Sequence, residues 1–486
     1  MKKVLKAVAL TAVAALAVSC GSTKVAYTEE EFNQAFVDED YGACVSMIQS
    51  NKKKDKHNAV LNSLDVNMLM HLNGDYLNSA KAFMDTQTLM QQSAEDTSGG
   101  KAFAATIAGE NSVRYSGNVY ERILAYSMRA VNALALGDVS NAKGVMDNYT
   151  GDYKDIIAPL VAAQKELEAE SDGCLEDEKV TTALGALGTT DGLSVDFAEL
   201  TKDRPSKSDK MYETSSFLSY LGTVVYAANG DAEHANDFAS ALQADNVDID
   251  VSEDIAVPEG KGRIDVVALS GTIGKRAEKS KEFELGAIRF EGIKGSDESA
   301  VSIEDSITPI KFKIAYPVFE EQDHAISSVR VTLSDGTAKT ATLIEDFDEA
   351  VRIDVESKAS GAFGRSVFRN ITKNAAAVSA GLVAMSKARE KVINSNNFMS
   401  QLGYTAALIG FQIALNVIIE AEKADVRQCS YFPHKASAAG FTVEPGTYSA
   451  TVEYLSRDGS VIATKELNDI VVTAGKPTVV VSSCAK

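Results

Sequence analysis

The sequence contains no tryptophan, which removes the side chain best suited to stacking on sugar rings, although 16 Tyr and 18 Phe keep a glycan surface open. Cations are scarce as well. Lys and Arg number 48 against 68 Asp and Glu, a formal charge of −20, which repels nucleic acid and anionic membrane surfaces and sets nucleic-acid binding aside. The five histidines, His57, His71, His234, His324 and His434, are far apart in sequence, with no HExxH or paired-carboxylate pattern. None of the cysteines has metal-ligand spacing, so neither a metal nor a cofactor is expected. Catalytic signatures are missing too. Ser270-Gly271-Thr272-Ile273-Gly274-Lys275 resembles a phosphate loop, but Leu269 and Arg276 stand where a Walker motif needs Gly and Ser or Thr. Ser98-Gly99-Gly100-Lys101 fits Ser-x-x-Lys without the partner motifs of penicillin-recognising enzymes, and no nucleophile elbow is found. An enzyme is therefore not expected.

What is present begins at the N-terminus. Lys2, Lys3 and Lys6 precede an apolar run from Ala7 to Val18 that closes on Ala17-Val18-Ser19-Cys20-Gly21. The run is about half the ~20 residues a bilayer span requires, and basic residues before it with small residues after it are what signal peptidases read. The Ala-Val-Ser-Cys order resembles a bacterial lipobox, so residues 1–19 are expected to be removed and Cys20 acylated; the alternative is an ordinary secretory leader with a chance cysteine. Loss of the three leader lysines takes the charge from −20 to near −23. Gly21, rather than an Asp, at the position after the anchor is expected to permit passage to the outer membrane. Export to an oxidising compartment leaves Cys44, Cys174, Cys429 and Cys484 as an even set. A disulfide between Cys429 and Cys484 is expected, and another between Cys44 and Cys174.

The length points to more than one core. Residues 20–245 carry apolar residues at helical spacing, with one turn returning four times: Glu39-Asp40, Gly74-Asp75, Gly137-Asp138 and Gly230-Asp231, each followed by a small residue, Cys44, Ser79, Ala142 and Ala235. Gly suits a helix C-cap and the following Asp the next N-cap. The first two turns are close to the tetratricopeptide period of about 34 residues. The pattern predicts a tetratricopeptide-like array with a groove, or an irregular bundle using the same turns. Tyr120 to Leu134 and Phe217 to Ala228, apolar over most of their surface, are expected inside it. Residues 246–262, rich in Asp and Glu, read as a solvated linker; Asp245, Asp248 and Asp250 lack the Gly and Glu of a calcium loop.

Residues 263–430 read as mixed strands and helices, with strands at Ile264 to Ser270, Phe283 to Phe290, Ile310 to Tyr316 and Ser328 to Leu333. Arg365, Arg369 and Lys373 fall on one helical stripe, able to receive a carboxylate, a phosphate or an acidic partner, or to pair internally with Asp346, Asp348 or Asp354. Tyr404 to Ile419 is apolar but short for a span and holds Gln412 and Asn416, so a buried helix is expected. Residues 431–486 alternate like a small antiparallel sheet or sandwich. The fold class is thus multidomain, α then α+β.

The chain is similar to a family of bacterial outer-membrane lipoproteins with a tetratricopeptide-like N-terminal half. The similarity covers most of the mature chain. It rests on Asn118-Val119-Tyr120-Glu121-Arg122 running into Leu134-Ala135-Leu136-Gly137-Asp138, on Ala315-Tyr316-Pro317, and on the Arg365, Arg369, Lys373 ladder. Ala424-Asp425-Val426-Arg427, Phe432-Pro433 and Pro445-Gly446-Thr447-Tyr448 complete it. Gln428 to Ser430 departs from the family pattern, which has an aromatic residue there. The resemblance implies an envelope-assembly role, through gene neighbours that resemble regulators of cell-wall synthases, and no established activity. Two functions follow as expectations: a non-enzymatic lipid-anchored adaptor or scaffold with an envelope protein partner, or a surface glycan- or solute-binding lipoprotein.

Overall fold

Left-handed turns divide the first half of the chain into helical hairpins, in a computed structural model that describes residues 27–52, 56–97, 109–293, 303–395 and 398–486. The leader with Cys20, and Ser98-Gly99-Gly100-Lys101, lie outside those residues. The first helices are α1 (Glu29–Val37), α2 (Tyr41–Lys52), α3 (Ala59–Leu72), α4 (Tyr76–Thr97), α5 (Val119–Ala135) and α6 (Val139–Asp152). After them come α7 (Ala158–Gly173), α8 (Glu178–Gly188), α9 (Phe197–Thr201), α10 (Ser216–Ala228) and α11 (Ala232–Ala244). Glu39, Gly74, Gly137 and Gly230 take φ of 58°, 78°, 71° and 78°, ending α1, α3, α5 and α10 in a conformation that glycine adopts without a Cβ penalty. The next helix is then capped: Asp40, Asp138 and Asp231 accept from the backbone of Ala43, Asn141 and His234 at 3.0, 2.9 and 3.3 Å. Cys44, Ser79, Ala142 and Ala235 are all 0% exposed, as close packing of the paired helices requires. Helices α5 and α10 are buried along nearly their whole length.

The acidic segment 246–262 is largely exposed but is tied down at one point. It forms a short helix, α12 (Ser252–Ile255), whose Asp254 is buried and receives Arg263 Nε at 2.8 Å. A buried carboxylate needs such a partner, and the pair ties the segment to the first strand.

The second half opens with β1 (Gly262–Ser270), β2 (Lys275–Phe290), β3 (Ser306–Glu320), β4 (Ser328–Leu333), β5 (Ala338–Thr340) and β6 (Thr342–Asp346). Two long helices, α13 (Phe347–Ser395) and α14 (Phe398–Ala421), precede β7 (Lys435–Val443), β8 (Gly446–Leu455), β9 (Val461–Val472) and β10 (Pro477–Cys484). One sheet runs β10-β1-β7-β6 and another β5-β4-β8-β9, while β2 and β3 make a long hairpin. Strand β1 is buried at every residue. Its period-two alternation sends Val267 and Leu269 into the cluster shared with the helices, and Ile264, Val266 and Ala268 into the cluster shared with Val331 and Val452 of the second sheet. The result is three layers: helices, sheet, sheet.

Residues 431–486 do not form a sheet of their own. Strand β7 pairs with β1 and β6, β8 pairs with β4, and β10 returns to pair in parallel with β1. The described residues are therefore helical first, then strands with helices, with small antiparallel ladders and one parallel pair.

Two further expectations are corrected. Helix α14 is not a buried helix: Gln401, Tyr404, Phe411 and Leu415 are its buried residues, while Leu402, Ile409, Ile413 and Val417 face outward. It is long and apolar enough to cross a membrane by length and composition. The disulfides are also absent, because Cys44, Cys174, Cys429 and Cys484 are free thiols that join four different apolar clusters.

Candidate functional site

Where the helical layer meets α13, a cleft of about 580 Å³ is lined by groups from both halves, among them Asn118, Arg122, Arg276, Lys358, Arg365 and Arg427. Its floor starts at the cap of α5. Glu121 accepts from the backbone of Asn118 at 2.7 Å, from the backbone of Cys429 at 2.6 Å and from the Tyr115 hydroxyl, which satisfies a carboxylate that burial pushes toward its neutral form. That arrangement fixes Asn118, whose Oδ1 accepts from Lys358 Nζ at 3.0 Å and from Arg276 at 3.4 Å.

Four of the lining cations are held by three carboxylates, Asp354, Glu168 and Asp425, and Glu166 and Glu170 line the cleft as well. Arg276 and Lys358 share the single buried carboxylate of Asp354, Lys358 at 2.7 Å. Burial works to raise the Asp354 pKa, but the two cations hold it below the usual range. Arg276 is 8% exposed, and its Nε has no hydrogen-bond partner among the described residues. Among the described residues Arg122 makes no ion pair: it donates to the carbonyls of Ser116 and Met90 at 2.5 and 3.1 Å, and burial lowers its pKa to about 10. Arg427 is held in bidentate fashion by Asp425 at 2.7 and 2.8 Å, with its guanidinium 5.2 Å from the Tyr115 ring centroid.

The predicted cationic stripe is split by this architecture. Arg365 lines the cleft, donating to Ser171 at 2.7 Å and Glu168 at 3.2 Å. Arg369 is 1% exposed and meets Glu422 at 2.6 Å, and that same carboxylate accepts from the Ser366 hydroxyl at 2.7 Å. Lys373 is lowered in pKa by burial. None of the three uses Asp346, Asp348 or Asp354. Asp354 lies eleven positions before Arg365 on the same helix, about 16 Å along its axis, so the partners come from α7 and from the segment after α14.

Sequence reasoning did not single out Arg276 or Lys358. It did mark Asn118 to Arg122, Pro317, Arg365, and Asp425 with Arg427, and all four of those segments contribute to the cleft. Compared with models of protein families, with curated proteins and with solved structures, the chain matches none.

Proposed function

We propose that this chain is a non-enzymatic, lipid-anchored adaptor of the bacterial outer membrane, built on tetratricopeptide-like hairpins, whose cleft receives a carboxylate- or phosphate-bearing segment of an envelope protein. The carrying observation is buried Arg122, whose partners among the described residues are carbonyls, beside Arg276 and half-buried Lys358, which share one carboxylate. A buried cation short of counter-charge is costly, and an incoming anion relieves that cost. The carboxylates Glu121 and Asp425 are fully occupied as acceptors, an arrangement suited to holding a ligand rather than moving protons. Acylation of Cys20 would keep the cleft within reach of envelope partners, with the protein facing either the periplasm or the cell surface.

A second reading, a binder of a small anionic solute or acidic glycan, is favoured by the cleft's volume, which falls within the roughly 300–1,000 Å³ of small-molecule sites. Affinity capture from crosslinked envelopes, run beside a panel of acidic glycans and small carboxylates, separates the two. Arg122→Gln and Lys358→Gln each remove a cation without stranding a carboxylate and should weaken capture on the order of 10-fold or more, Lys358→Gln at nearly unchanged melting temperature and Arg122→Gln with about 1–3 kcal/mol of stability lost for the carbonyls of Met90 and Ser116. Tight binding of a glycan or solute with no protein captured would move the second reading to first place.

A further inference from the structure

Histidines that look dispersed in sequence meet in the fold. His324 lies in the 321–327 loop between β3 and β4, His434 immediately precedes β7, and Asp348 is in the first turn of α13. Their rings and carboxylate converge: His324 Nε2 is 2.8 Å from Asp348 Oδ2, and His434 Nε2 is 3.8 Å from the same oxygen. The two imidazoles stack with centroids 3.4 Å apart and planes 14° from parallel. One ligand atom from each residue lies within 4.8 Å of the other two. Asp346 Oδ1 stands 3.3 Å from His434 Nε2, beside the cluster.

We propose that His324, His434 and Asp348 form a divalent transition-metal site of the zinc class, with Asp346 next in line to close the coordination. This goes beyond the adaptor reading and does not depend on it. Two imidazoles and one carboxylate are the donor set that zinc takes, at about 2.0–2.2 Å from each donor, and tetrahedral bonds of that length put donor atoms about 3.3 Å apart. The observed separations from Asp348 Oδ2, 2.8 and 3.8 Å, straddle that value, and binding requires the two rings to turn out of their near-parallel stack so that both nitrogen lone pairs point at one ion.

The surroundings hold the donors as outer-shell groups do. Gly274 N donates to Asp348 Oδ1 at 2.6 Å, turning Oδ2 toward the imidazoles. The backbone of Asp348 donates to Asp346 Oδ1 at 3.1 Å. His434 is pinned at both backbone ends, its N–H to Ser270 O at 3.0 Å and its carbonyl by Phe347 N at 2.8 Å. Gly271, at φ +66°, leaves room for the pair: a Cβ there would lie 3.1 Å from His434 Cβ and 3.7 Å from His324 Nδ1. The Asp348 and His434 side chains are 9% and 6% exposed, while His324 at 16% provides the entry side. An ion shared by the imidazole nitrogens would satisfy both rings and the carboxylate together. Bound there, the ion ties the β3–β4 loop to the start of α13 and to β7.

The test uses the full mature chain, stripped with a chelator and titrated with Zn²⁺ by calorimetry, with Co²⁺ as a spectroscopic substitute. The expected result is one ion per chain, a visible Co²⁺ spectrum of a low-symmetry nitrogen and oxygen site, and a rise in melting temperature reversed by chelator. His324→Gln, placed on a loop, should fold normally and weaken binding roughly 100-fold or more, since even outer-shell partners are worth about 10–100-fold. His57→Gln, at an exposed position, should bind as wild type. Absence of saturable Zn²⁺ binding by the stripped wild type, or equal binding by His324→Gln, would overturn the proposal, and the wild-type Co²⁺ spectrum decides it even if a variant misfolds.

Discussion

Arg369 and His71 show how single buried polar groups bind distant parts of this chain together. Arg369→Ala would leave Glu422 as a buried carboxylate with its main counter-charge gone, at a cost of about 3–5 kcal/mol. Denaturant unfolding should show that loss, whereas Arg369→Met with Glu422→Leu should lose markedly less, because no charge is left stranded. His71 Nδ1 meets Asn132 Oδ1 at 2.7 Å and Nε2 meets Ser483 Oγ at 2.8 Å, so this ring clamps α3 to both α5 and β10. Burial lowers its pKa from 6.5 to about 4. The folded pKa lies below the unfolded one, so its stabilisation is present above pH 6.5 and is lost as pH falls toward 4, about 3 kcal/mol in full. Asp65 and Glu345, raised by burial to about 7, slope the opposite way. The measurement is therefore a difference: between pH 7 and pH 4.5, wild type should lose more stability than His71→Gln. Equal losses would show that the ring is not held neutral.

Among the elements, the helical hairpins were legible in sequence and the sheets only in part. The turn at Gly230 could be read because cap, turn and close-packing residue sit within six positions, a local signal. The pairing of β1 with β10 could not, since nothing within either strand names a partner two hundred residues away. The same limit governed the site. The positions of Arg365 and Arg369 on one helix were legible, but Glu168 and Glu422 lie on other elements, and the meeting of His324 with His434 depends wholly on tertiary packing. Helix α14 was misread because an uncharged apolar run gives no sign of which faces are covered. A sharper packing signal lies in α10, where a Cβ on Gly222 would sit 2.4 Å from the Phe238 ring of α11. Gly222→Ala should cost on the order of 1–3 kcal/mol by overpacking, and adding Phe238→Leu should recover part of it. Strict additivity of the two changes would mean the hairpin does not pack through that contact.

At the scale of the molecule, the interleaving of β7–β10 with β1, β4 and β6 makes the second half one unit, and His71, Asn118 and Glu121 join it to the helices. The cleft lies on that junction, which is why its cations come from four separate stretches of sequence. The most direct measurement of its role places a photo-crosslinking residue at Gln164, on the cleft wall, and another at Val461, half-exposed on β9, in cells expressing the full chain. A discrete envelope-protein adduct from position 164, absent from position 461 and lost when Arg122→Gln is added, is the predicted result. No adduct from position 164, or an adduct indifferent to Arg122→Gln, would contradict the account.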